Sequence, residues 1–169
     1  MIYILEGPDG AGKTTLANEI AEQKKASVVH SYFDPAWDIK AHHKDMFRAA
    51  TIINKWKDVV LDRWAPSEFV YGQVFRGKPG YDVLDFLWMM QPELEDVTWI
   101  YCRNDNAVEN HFKNMEKREE MFNDMSEVVK MFDTFVENSD LPWIYYDYNK
   151  VDMEEFVKNL GNNTKKETI

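Results

Sequence analysis

Between Gly7 and Thr15 the chain reads Gly7-Pro8-Asp9-Gly10-Ala11-Gly12-Lys13-Thr14-Thr15. The spacing Gly-x-x-x-x-Gly-Lys-Thr is that of a phosphate-wrapping P-loop. Its glycines let the backbone curl until successive N–H groups point inward, at the positive end of the helix that follows. Lys13 reaches the outer phosphates of a nucleoside triphosphate, and the Thr14 hydroxyl is placed to ligate Mg²⁺. Gly7, Asp9, Gly10, Ala11, Gly12, Lys13, Thr14 and Thr15 are therefore the expected ATP-contacting set. A second chemical cluster, Asp62-Arg63, closes the apolar run Val59-Val60-Leu61. A carboxylate there suits Mg²⁺, often through water, and Arg63 beside it suits bidentate clamping of a phosphate. A local salt bridge is the plainer alternative for that pair.

These groups need a scaffold that brings strand ends together. Ile2-Tyr3-Ile4-Leu5 reads as a strand before the loop, and Leu16, Ala17, Ile20 and Ala21 repeat at helical spacing after it. Further strands are expected at residues 27–32, 58–61, 97–102 and 142–146. Helices are expected between them, at residues 39–56, 67–74 and 82–90, with two more carrying Val108 to Met115 and Met125 to Val136. Residues 153–160 form a closing helix. Strands alternating with helices predict an α/β/α sandwich of the P-loop NTPase kind: a five-stranded parallel sheet with helices on both faces. Ligands in such sheets bind at the carboxyl ends of the strands, where the residues singled out here fall. A single domain over residues 1–161 with a short lid near 111–120 is expected, and a disordered tail over 162–169.

The 169 residues carry a net charge of −10, with 44% hydrophobic and 14% aromatic residues. That excess of acid argues against broad contact with a nucleic-acid backbone, whereas a small phosphorylated substrate needs only a local positive pocket. No apolar run is long enough to span a membrane. With the loop so close to the first residue and no basic leader, a cytoplasmic protein is expected. Cys102 is the single cysteine, in an apolar run that predicts a buried thiol. His42-His43 is read as a solvent-facing pair and Trp56 as core, while His30 and His111 show no ligand partners in the sequence. Tyr32, Phe33, Trp37, Trp64 and Tyr71 are aromatics at or just beyond strand ends, able to stack on a planar base.

The segment Asp62-Arg63-Trp64-Ala65-Pro66-Ser67, followed by Tyr71-Gly72-Gln73 and Arg76-Gly77, resembles the thymidylate kinase signature, with Gly72 and Gln73 in reversed order. Asp9 strengthens the likeness, since in that family an aspartate there bonds the deoxyribose 3′-hydroxyl of the acceptor. Asp34-Pro35-Ala36-Trp37 looks instead like the Glu-Pro-x-x-Trp region of the related deoxynucleoside kinases. The resemblance implies transfer of the ATP γ-phosphoryl, with Mg²⁺, to a deoxynucleoside monophosphate such as dTMP. It implies an acceptor site built from Asp9, Tyr32, Asp34, Trp37, Arg48, Arg63, Trp64 and Tyr71, and metal held by Thr14 and Asp62. Because Gly10 lacks the arginine that some members carry in this loop, the catalytic cation should come from the lid, with Arg118 ahead of Lys117. Lys13, Arg63 and Arg118 are then the catalytic set. A deoxynucleoside kinase with Asp34 as base is the first alternative, a kinase of a modified base or DNA end the second, and a nucleotide-binding switch the third. The family is commonly dimeric, so a homodimer rests on analogy alone.

Overall fold

A computed structural model describes residues 1–32, 34, 36–82, 84–85, 96–114 and 125–161. Five strands, β1 (Ile2–Glu6), β2 (Ser27–His30), β3 (Val59–Asp62), β4 (Val97–Cys102) and β5 (Trp143–Tyr146), form one sheet in the order β2-β3-β1-β4-β5. Every pairing is parallel. The five-stranded α/β/α architecture expected from the alternation is the one observed.

Side chains alternate across a strand, and both faces of this sheet use the alternation. On one face Ile2, Ile4, Val59, Leu61, Val97 and Trp99 pack against Met46, Phe47 and Ala50 of α2 (Ile39–Asn54). On the other, Tyr3, Leu5, Val60, Ile100 and Cys102 meet Leu16, Ala17 and Ile20 of α1 (Lys13–Lys24), together with Val157 of α6 (Met153–Asn159). Covered on both sides, β1 and β3 are buried at every residue, which is why their sequences are nearly all apolar. A third cluster joins α3 (Ala65–Arg76) to α5 (Met125–Asn138) through Val70, Tyr101, Met125, Val128 and Phe132. The remaining described helix, α4 (Ala107–Asn114), follows β4 after Asn104, whose side chain accepts from the Asn106 N–H at 2.7 Å.

The loop after β1 leaves the sheet where its backbone nearly touches β4. A Cβ on Gly7, at φ +138°, would lie 2.2 Å from the Cys102 carbonyl oxygen, so only glycine fits. Cys102 itself is fully buried and unpaired, and burial pushes its thiol up to about 12. Helix α3 begins two residues ahead of expectation, with Pro66 in its first turn, where its missing N–H costs nothing. Among the described residues no helix is long and apolar enough to cross a membrane.

Two expectations are corrected. Trp56 is 85% exposed: α2 ends at Asn54, so the helical spacing that counted Trp56 into the core runs past the helix itself. His43 is 2% exposed and bonded to Tyr81, so the His42-His43 pair does not face solvent. Strand β2 also stops at His30, although the Ser31 N–H continues its ladder to the Asp62 carbonyl at 3.1 Å. Asp82 does cap a turn, accepting from the Asp85 N–H at 2.8 Å. The rest of the helix expected to 90, the lid residues Lys117 and Arg118, and the tail 162–169 lie outside the described residues.

Phe132 has no exposed surface. Phe132→Ala should therefore lower stability by ~3–5 kcal/mol, and Trp56→Ala should change it by less than about 0.5 kcal/mol, both read from urea unfolding.

Candidate active site

Helix α1 starts directly on Gly12, and no side chain caps it, so its positive end stays open beside the loop. Lys13 is 5% exposed and donates from Nζ to the Pro8 carbonyl at 2.6 Å, which folds the loop over its own lysine. Burial, with Arg63 nearby, brings its ammonium down to about 8. Gly10 packs on α4: a Cβ there would sit 2.3 Å from the Ala107 carbonyl oxygen and 2.8 Å from the His111 nitrogen. A side chain on this residue, arginine included, has no room.

Thr14 Oγ1 donates to Asp62 Oδ2 at 2.8 Å, and the same oxygen lies 2.9 Å from His30 Nδ1. Parallel register sets His30 against Asp62 across β2 and β3. The second oxygen, Asp62 Oδ1, is buried with no hydrogen-bond partner. An unpartnered carboxylate oxygen beside a threonine hydroxyl is a donor pair that suits a hard divalent cation such as Mg²⁺.

Arg63 ties the loop to α3. In the left-handed conformation, φ +70°, it donates to the Gly7 carbonyl at 3.2 Å, to Ser67 Oγ at 3.0 Å and to Tyr71 Oη at 3.3 Å, and pairs with the Asp9 carboxylate. Its guanidinium carbon lies 4.9 Å from the Tyr71 ring centre. Tyr71 Oη also accepts from the Asp9 N–H at 3.1 Å, so α3 holds the backbone of Asp9 while Arg63 holds its carboxylate. Burial alone would raise the Asp9 carboxyl, but the Arg63 and Lys13 charges pull it down to about 2.

Beneath Arg63 lies Glu6, fully buried at the end of β1. It accepts from the Trp64 N–H at 2.7 Å and from Ser67 Oγ at 2.5 Å. Burial raises its carboxyl to about 7, even against the pull of Ser67 and Arg63.

Two cavities meet at these residues. The larger, about 870 Å³, runs along the loop past Gly10, Lys13, Thr14 and Thr15 to Asn110 and Tyr148. The smaller, about 400 Å³, is lined by aromatic and polar side chains including Tyr32, Trp64, Tyr71, Phe75, Ser31 and His43. Asp9, His30 and Arg63 line both.

Of the acceptor residues expected from sequence, Asp9, Tyr32, Arg63, Trp64 and Tyr71 line the smaller cavity. Trp64 is 1% exposed, stacked on Phe47 at 4.7 Å and donating from Nε1 to the His43 carbonyl at 2.9 Å, so it serves the core as well. Trp37 packs on His42, Arg48 is exposed on α2, and the Asp34 carboxylate accepts from the Ala36 N–H at 2.8 Å; none of these three lines either cavity. Sequence reading missed Glu6, His30, Ser31, His43 and Glu68. Two of them carried a signal: Glu6 is a charge inside an apolar strand, and His30 ends β2 level with Asp62.

No protein-family model matches the chain, and no curated protein matches it either. Solved structures do match its fold. The YorR protein of Bacillus subtilis, solved with a phosphorylated GDP, aligns with a TM-score of 0.72 at 18% identity, over 94% of this chain and 92% of its own. Deoxyadenosine kinase from M. mycoides, solved with dCTP, aligns at 0.63 and 19%, over 96% and 99%. Thymidylate kinase from Ehrlichia chaffeensis aligns at 0.57 and 16%, over 93% and 94%. The chain has the P-loop nucleotide-kinase fold over most of its length.

The two carboxylates beside Arg63 titrate with opposite signs. Glu6, raised from 4.5 to about 7, keeps its proton in the folded state, so the stability it supports is lost as pH climbs through that window. Asp9, lowered from 3.8 to about 2, loses its contribution only as pH falls below 3.8. Urea unfolding between pH 4.5 and 7 should show the wild type losing ~3 kcal/mol relative to Glu6→Gln as pH rises. Parallel curves for the two proteins would show that Glu6 is ionised throughout.

Proposed function

We propose that this protein is an ATP-dependent kinase that transfers the γ-phosphoryl group to a small deoxynucleoside monophosphate, giving ADP and the diphosphate. The observation that carries the reading is the meeting of the two cavities on Asp9, His30 and Arg63. A phosphate loop opens on one side and an aromatic-walled pocket on the other, which is the arrangement a transfer between two nucleotides requires. Support also comes from the fold neighbours, two of which are named as kinases of deoxyadenosine and thymidylate.

In this reading the triphosphate lies along the loop, with Lys13 against its outer phosphates. Thr14 and Asp62 would hold Mg²⁺, which when bound neutralises charge on the β- and γ-phosphates. The acceptor enters the smaller cavity with its base among the aromatic side chains and its phosphate at Arg63. Asp9 faces the same junction and is placed for a sugar hydroxyl. An acceptor phosphate oxygen attacks the γ-phosphorus while the bond to the β-bridging oxygen breaks. The phosphate is already a competent nucleophile, so no general base is needed, and catalysis consists of positioning and charge neutralisation. Since Gly10 cannot carry an arginine, a further cation over the transferring group is assigned to the lid at Arg118. The Asp34 carboxylate, engaged in its own turn, gives the nucleoside-kinase alternative little help.

Incubation with ATP and Mg²⁺ and each of the four deoxynucleoside monophosphates, then each nucleoside, with ADP measured by chromatography, tests the reading. ADP release should require a monophosphate. Release with nucleosides alone would move the assignment to a 5′-hydroxyl kinase, and release independent of any acceptor would leave only an ATPase. Lys13→Ala should abolish transfer with an unchanged circular-dichroism spectrum. Arg63→Lys, which loses the bidentate fork, should raise the acceptor KM by about tenfold or more.

A further inference from the structure

Thr14, Asp62 and His30 form a hydrogen-bonded run whose direction follows from its chemistry. Asp62, 1% exposed, closes β3, and its Oδ2 accepts from Thr14 Oγ1 at 2.8 Å and lies 2.9 Å from His30 Nδ1. A carboxylate has no hydrogen to give, so Nδ1 carries the hydrogen of that pair. Three elements meet on the one oxygen. Thr14 comes from the first turn of α1, Asp62 from β3, and His30 from β2, where parallel register sets it level with Asp62. The ring has a second contact, an edge-on approach to Tyr32 with ring centres 4.7 Å apart, so it is held from two sides.

The consequence lies at Thr14. A hydroxyl has one hydrogen, and a cation needs the lone pairs of the oxygen. With its hydrogen on Asp62, Thr14 Oγ1 has only lone pairs to offer the larger cavity, which it lines. That polarity lasts only while Asp62 Oδ2 stays in place. A carboxylate held by a single donor can turn about its Cβ–Cγ bond and present either oxygen. Two donors from different elements on the same oxygen fix the turn, and they leave Oδ1 buried and unpartnered as the remaining end of the charge.

We propose that His30 is a positioning residue for the divalent cation of this site: its Nδ1–H locks the Asp62 carboxylate, and through it the Thr14 hydroxyl, in the orientation that accepts Mg²⁺. The inference rests on the ATP and Mg²⁺ reading above and adds a residue to it. His30 acts through Asp62 and not as a ligand. Removing a partner that orients a metal-holding group in this way costs about 10–100-fold in metal affinity.

Asparagine and glutamine separate position from polarity in the test. The amide nitrogen of Asn stands one bond from Cγ, where histidine has Nδ1, and Gln carries the same amide one bond further out. Mn²⁺ serves as the probe in place of Mg²⁺, its free fraction read by electron paramagnetic resonance with the non-hydrolysable analogue AMP-PNP and the full chain in excess. His30→Ala should weaken Mn²⁺ binding to the protein–analogue complex by about tenfold or more. AMP-PNP binding in EDTA, read by calorimetry, should stay at the wild-type value. His30→Asn should restore most of the metal affinity and His30→Gln should not. A role in packing alone would lower the metal-free affinity too. Unchanged or tighter Mn²⁺ binding in His30→Ala, a parallel loss in EDTA, or Asn and Ala variants that behave alike overturns the inference while leaving a nucleotide kinase standing. If the wild type binds AMP-PNP yet adds nothing to its hold on Mn²⁺, the metal site at Thr14 and Asp62 falls and takes this inference with it. If it binds no AMP-PNP, the kinase reading itself falls.

Discussion

The Arg63 guanidinium is the tie on which the site depends. It sits among three carboxylates, pairing with Asp9 and lying close to Glu6 and Asp62, and it joins the phosphate loop at Gly7 to α3 at Ser67 and Tyr71. To reach all of these it adopts a left-handed backbone, a conformation that costs a non-glycine residue of order 1–3 kcal/mol. The surroundings compensate that strain, because removing the cation would leave the Asp9 carboxylate without its countercharge and take the shared donor from the Gly7 carbonyl, Ser67 and Tyr71. Arginine suits the position better than lysine: one planar fork serves four acceptors from a fixed place and stays charged when buried.

The sheet makes this tie attainable. Parallel pairing puts the last residues of β1, β2, β3 and β4 on one edge, so Glu6, His30, Asp62 and Cys102 end side by side although they lie far apart in sequence. The loop then has backbone on two sides, Cys102 under Gly7 and α4 against Gly10. Both approaches are protein against protein, so folding itself meets part of the cost of ordering this glycine-rich segment.

Much of this was readable from residue order. Glycine spacing names the loop because few other sequences allow that curl, and apolar runs name the buried strands because both faces are covered. What escaped was set by partners distant in the chain. Glu6 looks like an intruder in β1 until Ser67 and the Trp64 N–H are placed over it, about sixty residues later. The His42-His43 pair splits because adjacent residues on a helix diverge by about 100°, which turns His43 inward onto Tyr81. Trp56 was counted inward by a period that outlived its helix. Asp34, Trp37 and Arg48 follow a family pattern in sequence, yet the turn after β2 and the outer side of α2 put them away from the two cavities.

The shared boundary at Asp9, His30 and Arg63 also has a thermodynamic consequence. A phosphate that draws Arg63 away from Asp9 on one side alters the field felt on the other, since the same charges line both chambers. Any such effect is mutual: whatever factor the first occupant applies to the affinity of the second, the second applies to the first. Cooperativity between the two occupants would then need no moving domain, only a guanidinium and a carboxylate whose pairing is open to competition.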